Sequence, residues 1–228
     1  MSRAAPDSPA GSQSELIPVS LEDDDAKSNF KMPVVFTLVP LLIGFAIAEG
    51  IHRGTGYDMY VNVIETDLKP RRLYWLYFGA VITACLTTFI NSFPMGFKNA
   101  AMEAQGKQAK GNIRANMYLY ESTSRDVRPV VLMEEGAAGK YNRANRSLHH
   151  YVENMGGFLL CLPLAGFVYP AASFVLAILF AIGRLAHQIG YTKGYGGHGA
   201  GFGIAMIATV ILEGLVLVAG MRAVGVPL

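Results

Sequence analysis

From Ala200 to Met221 the chain carries a single charged side chain, Glu213, in a run otherwise made of apolar and small residues. A helix of that run is long enough to cross a hydrocarbon layer about 30 Å thick. Four other runs have the same character: Pro33–Ile51, Tyr74–Ile90, the apolar second half of Tyr141–Tyr169, and Ala171–Tyr191. Lipid offers no hydrogen-bond partner to a backbone amide, so each run has to satisfy its own backbone as a helix. The expected fold class is therefore an all-α integral membrane protein with five spans, its termini on opposite sides and the lipid bilayer its first partner. Composition agrees: 52% of residues are hydrophobic and 16% charged, where a water-soluble domain carries about 25% charged residues. A net charge of +2 is too small for a nucleic-acid surface, so no nucleic-acid partner is expected. Cys85 and Cys161 sit inside apolar runs and read as free thiols at helix–helix packing sites rather than a disulfide framework.

The chain divides by composition. Residues 1–31 are polar, with the acidic run Glu22-Asp23-Asp24-Asp25; such a segment buries too little apolar surface to fold and is expected to be a disordered acidic tail. It lacks the apolar core of a signal peptide and the basic, acid-poor character of a mitochondrial presequence. Residues 32–52 form the first span, where Pro40 predicts a kink. A mixed-charge loop, His52–Arg72, follows. The unit 73–222 then holds four spans, with a long loop, 91–140, between its first two. The cluster Tyr74-Trp75-Tyr77 predicts an interfacial aromatic belt. Most of the 19 Lys and Arg residues fall on the face that carries the amino-terminal tail, the long loop and the Gly-rich turn Thr192–Gly199. By the positive-inside rule that face is cytosolic, or matrix-side in an organelle.

Within this apolar frame the stretch Tyr141–Tyr169 is anomalous. On one helix, Asn142, Arg146, His149, His150 and Glu153 form a polar stripe. In lipid such a stripe has to face other helices or a water-filled cleft, which makes it a candidate site. On the fourth span Arg184, His187 and Tyr191 repeat the pattern. Each set covers about 10 Å of helix. The tight turn at Val168–Pro170 makes the two helices antiparallel neighbours, so both faces can line one pocket. Arginine there would hold a carboxylate, glutamate an ammonium, and tyrosine or histidine would help keep a thiol ionised as a nucleophile.

Each residue also has a plainer reading. Arg146 snorkels to lipid phosphates, one of His149 and His150 is a bystander, and Tyr191 belongs to the aromatic belt. Glu153 pairs with Arg184 as intramembrane charges often do; Glu213 is the weaker partner, about 10 Å away in depth by helical rise. Helical phase favours His150 as the inward histidine. A metal or haem site built from His149, His150, His187 and His198 lacks any ligand spacing of the H-E-x-x-H kind, and no metal is expected.

The block Tyr141-Asn142 through Arg146, Glu153 and Phe158 resembles the second core helix of the MAPEG family, membrane-associated proteins in eicosanoid and glutathione metabolism. Gly166–Ala171 (GFVYPA), Gly183-Arg184-Leu185, Gly190-Tyr191-Thr192 and Met117–Tyr120 extend the likeness over roughly residues 74–221. The pattern is nearest to the branch of microsomal glutathione S-transferase 3. The resemblance implies a four-helix protomer in a homotrimer, with glutathione as co-substrate in clefts between protomers. Residues 32–52 then become an extra amino-terminal transmembrane helix.

By position, Arg146 and Glu153 match the family's glutathione-binding arginine and glutamate, and Tyr191 a tyrosine near the tripeptide. The chain departs from the pattern in that His150 stands for an asparagine and His187 for a second tyrosine. The thiolate-stabilising arginine at the end of the first core helix has no match in Ile90–Pro94, and Lys98 is the nearest base. The basic residue after Tyr191 is at best Lys193 or His198.

Two functions follow as expectations. One is a membrane glutathione transferase or peroxidase acting on lipophilic electrophiles or lipid hydroperoxides, with Arg146, His150, Glu153, Arg184, His187 and Tyr191 around glutathione. The other is a non-catalytic accessory subunit of a larger membrane complex, as the added span, the acidic tail and the altered site suit. Either fits an endoplasmic reticulum or mitochondrial membrane. Few intramembrane charges and no internal repeat argue against a transporter.

Overall fold

The computed structural model describes residues 31–106, 136–194 and 196–227, and is helical in each of them apart from short connections. Nearly all of the expected acidic tail, and the Met117–Tyr120 motif, lie outside the described residues. Five helices are long and apolar enough to cross a membrane. They are α1 (Lys31–His52), α3 (Tyr74–Gly106), α4 (Gly136–Val168), α5 (Pro170–Lys193) and α6 (Gly199–Ala223), with a short α2 (Tyr57–Val63) between the first two.

Two expected loops are corrected. The segment His52–Arg72 contains α2 and a π-helical continuation, Ile64–Leu68. Glu65 and Lys69, one turn apart, pair across the π-helical end, and Glu49 with Arg53 closes the end of α1. The loop expected over 91–140 is shorter at both ends, because α3 runs on to Gly106 and α4 begins at Gly136. The reason is packing. Phe89, Phe93 and Phe97 recur every fourth residue, and the last two are buried against Ala144, Tyr141 and Ile189. The apolar face of α3 thus outlasts its apolar run, and Ala100, Ala101, Met102 and Glu103 are good helix formers beyond it.

Helices α3 to α6 form the bundle. Its core is Leu86 and Ile90 from α3, Tyr151, Phe158 and Leu162 from α4, Leu176 and Phe180 from α5, and Leu212 from α6. Phe158 and Phe180 stack with ring centroids 3.9 Å apart. Trp75 packs on Phe174 of α5 at 4.8 Å, so the aromatic cluster serves helix packing.

The α5–α6 crossing is the closest. A Cβ placed on Gly183 would lie 2.5 Å from the Ala205 amide nitrogen, and one on Gly201 2.3 Å from that of His187. Small residues at such a crossing let two membrane helices meet backbone to backbone. Threonines within the spans turn their hydroxyls back on the preceding turn: Thr83 donates to the Gly79 carbonyl at 2.9 Å, and Thr209 to that of Ala205 at 2.9 Å. Helix α1 lies outside the bundle. Its main neighbour is α3, and Pro33 is its one buried residue.

Candidate functional site between α4, α5 and α6

The turn from α4 into α5 is a single residue, Tyr169, followed by Pro170 in the first turn of α5. Proline suits that place because its fixed φ matches the helix and its missing N–H had no partner there anyway. The two helices therefore run antiparallel, and polar ties hold their register on the basic side. Arg143 Nε donates to the Thr192 carbonyl at 3.0 Å, and Gln188 Nε2 to the Ala144 carbonyl at 3.0 Å. Ser147 Oγ meets His187 Nδ1 at 3.0 Å. One level deeper, Arg184 Nη2 donates to the carbonyls of His150 and Tyr151 at 3.2 and 3.3 Å.

The six predicted residues fall into three groups. Arg146 and Glu153 pair along the face of α4, Nη1 to Oε1 at 3.0 Å, with both side chains about half exposed at 53% and 54%. Glu153 thus pairs within its own helix and not with Arg184, because the seven-residue spacing lets the long arginine reach forward along the same stripe. The second group is aromatic. His150 stacks on His187 with centroids 5.0 Å apart and an interplanar angle of 18°. His187 touches Tyr191 at 5.6 Å and His198 at 5.4 Å, and Tyr191 touches His198 at 4.7 Å. Of the two adjacent histidines, it is His150 that joins this cluster.

Arg184 stands apart as the third group. It is 2% exposed, and its guanidinium packs over the rings of Tyr151 and Phe180 at 5.3 and 5.6 Å. It also lines a cleft of about 260 Å³ between α4, α5 and α6. Asn154, Phe202, Thr209 and Glu213 are among the other walls. Glu213, set aside on depth alone, therefore shares a cleft with Arg184. Its carboxylate lies against Gly157, where an added Cβ would meet Oε1 at 3.0 Å.

Two residues that touch the aromatic group are absent from the sequence expectation. Phe202 closes over His150 at 5.1 Å and His187 at 6.2 Å. Ser147 anchors His187 from α4. A signal for each was available: Phe202 follows His198 by one helical turn, and Ser147 precedes Tyr151 and follows Arg143 on the side of α4 that meets α5.

The chemistry on offer is polar and unsatisfied. His150 Nδ1, His187 Nε2, His198 Nδ1 and Gln188 Oε1 are buried without a hydrogen-bond partner, as are Arg184 Nε and Nη1. Buried polar atoms are normally paired, so this concentration in one region marks a place for water or a ligand. Among the described residues no group of three or more His, Cys, Asp or Glu is arranged to hold a metal ion.

Comparison with curated proteins and with solved structures returns no match. The model of the MAPEG family matches residues 76–218. That range covers the whole α3–α6 bundle core with every residue of the three groups above, and leaves α1 outside. The chain is a member of the MAPEG family, an integral multi-pass membrane protein built on that family's helices.

Proposed function

We propose that this protein is a membrane glutathione transferase or peroxidase of the microsomal glutathione S-transferase 3 branch, acting on lipophilic electrophiles or lipid hydroperoxides. It works as a homotrimer in the endoplasmic reticulum or mitochondrial membrane. The observation that carries the reading is the occurrence on the same helices of an exposed Arg146–Glu153 pair and a half-buried cluster of imidazole and phenol groups whose buried nitrogens are unmet. Glutathione presents carboxylates, an ammonium and a thiol. Arg146 takes a carboxylate and Glu153 the ammonium, exchanging their mutual contact for two charge-assisted ones. An exposed ion pair is worth about 0–1 kcal/mol, so little is lost in opening it.

The thiol then lies toward His187 and Tyr191. A hydrogen bond donated to the thiolate favours the ionised form and keeps the nucleophile available near neutral pH. With an aryl halide the thiolate forms the C–S bond and halide leaves. With a hydroperoxide it takes the terminal oxygen, giving a sulfenic acid and the lipid alcohol. A second glutathione then forms the disulfide and releases water. His150 replaces an amide by a flat ring stacked on His187, which trades hydrogen-bond capacity for a wall of the thiol pocket.

Purified protein in lipid nanodiscs, given glutathione with an aryl halide or a lipid hydroperoxide, tests this. Turnover and a glutathione-dependent rise in melting temperature are expected; absence of both refutes it. One observation favours a second reading, a structural subunit of a larger assembly: α1 is held by α3 and presents the rest of its apolar surface outward. Stable co-migration with other chains on native gels, without turnover, would decide for it. Migration as a lone trimer decides against it.

A further inference from the structure

Threonine hydroxyls inside the spans share a habit that Ser147 breaks. Thr83, Thr87, Thr192 and Thr209 each donate to the carbonyl one turn earlier on their own helix. Ser147, fully buried on α4, instead meets His187 Nδ1 of α5 at 3.0 Å. The place of that hydroxyl is well held. Gln188 Nε2 bonds the Ala144 carbonyl at 3.0 Å and Arg143 Nε the Thr192 carbonyl at 3.0 Å. The turn of α4 that carries Ser147 is thus tied to the turn of α5 that carries His187.

This contact bears on which ring nitrogen carries the proton. A neutral imidazole has one N–H and one acceptor nitrogen, and the bond made at one fixes the state of the other. Were Nδ1–H to donate to Ser147, the hydroxyl proton would need a further acceptor in a sealed site. Nε2, which is buried without a partner, would be an unmet acceptor as well. If the hydroxyl donates to Nδ1, both of those groups are satisfied, and only an Nε2–H is left unmet. Buried polar groups pair wherever they can, so the second arrangement is favoured. It leaves a donor on the side of the ring away from Ser147. His187 is 1% exposed, while its ring neighbours His150, Tyr191 and His198 are each partly exposed.

We propose that Ser147 is a positioning residue that holds His187 as the Nε2–H tautomer, so that the ring donates a hydrogen bond to a thiolate and does not act as the base that makes it. The tautomer rests on the α4–α5 seam alone; the thiolate as its acceptor rests on the glutathione reading. His187 then stabilises a thiolate whose proton has gone to water.

The test uses the full chain in lipid nanodiscs, isotope-labelled at the histidine nitrogens and without glutathione. Solid-state NMR reads the tautomer, and His187→Phe assigns the resonances. Wild type should show a protonated Nε2 and an unprotonated Nδ1. Ser147→Ala should show a population with the proton on Nδ1, and Ser147→Thr, which keeps the hydroxyl, the wild-type pattern. In turnover with glutathione and an aryl halide, Ser147→Ala should lower kcat about tenfold, short of the roughly 10⁴-fold loss for a wholly wrong tautomer. KM for glutathione should stay nearly unchanged. On a His187→Phe background Ser147→Ala should lower kcat no further, as expected of a residue that acts through the ring.

The proposal is overturned if wild type carries the proton on Nδ1, which would make Nε2 a base, or on both nitrogens. It is overturned if Ser147→Ala keeps the wild-type tautomer, or lowers kcat equally with and without the His187 ring, as a purely structural residue would. Absence of turnover in the wild type refutes the transferase reading, and the tautomer measurement, made without glutathione, still decides this one.

Discussion

Replacing Gly183 by alanine places a methyl carbon 2.5 Å from the Ala205 nitrogen, 2.8 Å from the Gly201 carbonyl oxygen and 3.0 Å from the Ala205 Cα. All three are backbone atoms of α6, and none can rotate aside. Ordinary van der Waals contact begins near 3.4 Å, so the helices must part by about 1 Å, or tilt, at this level. Overpacking of this kind costs typically about 1–3 kcal/mol. The larger effect is on the site, because the aromatic cluster straddles the same crossing: His187 and Tyr191 belong to α5, His198 and Phe202 to α6. A shift of about 1 Å opens the contacts between them, and misplacement on that scale can cost about a hundredfold in rate. Gly183→Ala should therefore lower the melting temperature and reduce turnover far more than stability alone explains. Gly203→Ala is the control, since nothing lies within 4 Å of its added Cβ; it should match wild type in both respects. The reasoning fails if Gly183→Ala melts and turns over like Gly203→Ala, for then α5 and α6 do not meet as closely as the structure has them.

Arg146→Gln and Glu153→Gln should each weaken glutathione binding at least tenfold in calorimetry, on the scale of about 1.5–3 kcal/mol for a charge-assisted contact. Both should leave the melting temperature without ligand nearly unchanged, because the pair is exposed. Tyr151→Phe removes the 2.7 Å bond to Thr87 Oγ1 that joins α4 to α3 and should cost about 1 kcal/mol in reversible unfolding, with activity retained. Arg184→Leu removes the donor to two carbonyls of α4 and should destabilise by about 2–4 kcal/mol, seen as early loss of helical circular dichroism on heating. Deleting residues 1–52 should leave the α3–α6 bundle folded by the same measure, since α1 buries only Pro33 and lies outside the family match.

The architecture was legible because lipid leaves a chain few options. An apolar run of span length has to be a helix, and the five runs read from the sequence are the five spanning helices of the structure. Helix ends were less legible outside the membrane. Phe89, Phe93 and Phe97 carry the period of a packed helix past Ile90, but the polar residues between them lower the mean hydropathy on which the loop was drawn. The Arg146–Glu153 stripe was legible from spacing alone. The pairing within it was not, because Arg184 looked equally available until its burial over Tyr151 and Phe180 was known. Glu213 was discounted on helical rise, which fixes depth but says nothing of azimuth. The approach of α6 to α4 at Gly157 brings its carboxylate round into the same cleft.

That placement changes what Arg184 is for. A ligand-binding arginine would be expected to offer its guanidinium to the glutathione side, beside Arg146. Here one nitrogen is spent on the carbonyls of His150 and Tyr151, and the other two are buried without a partner. Those carbonyls belong to the turn of α4 that carries the His150 ring, and that ring is stacked on His187. The guanidinium therefore fixes the turn of α4 that carries His150. Arg184→Lys, which keeps the charge but lacks the planar fork, should loosen that turn and weaken glutathione binding; calorimetry that finds wild-type affinity in a folded variant would show that Arg184 acts on stability alone.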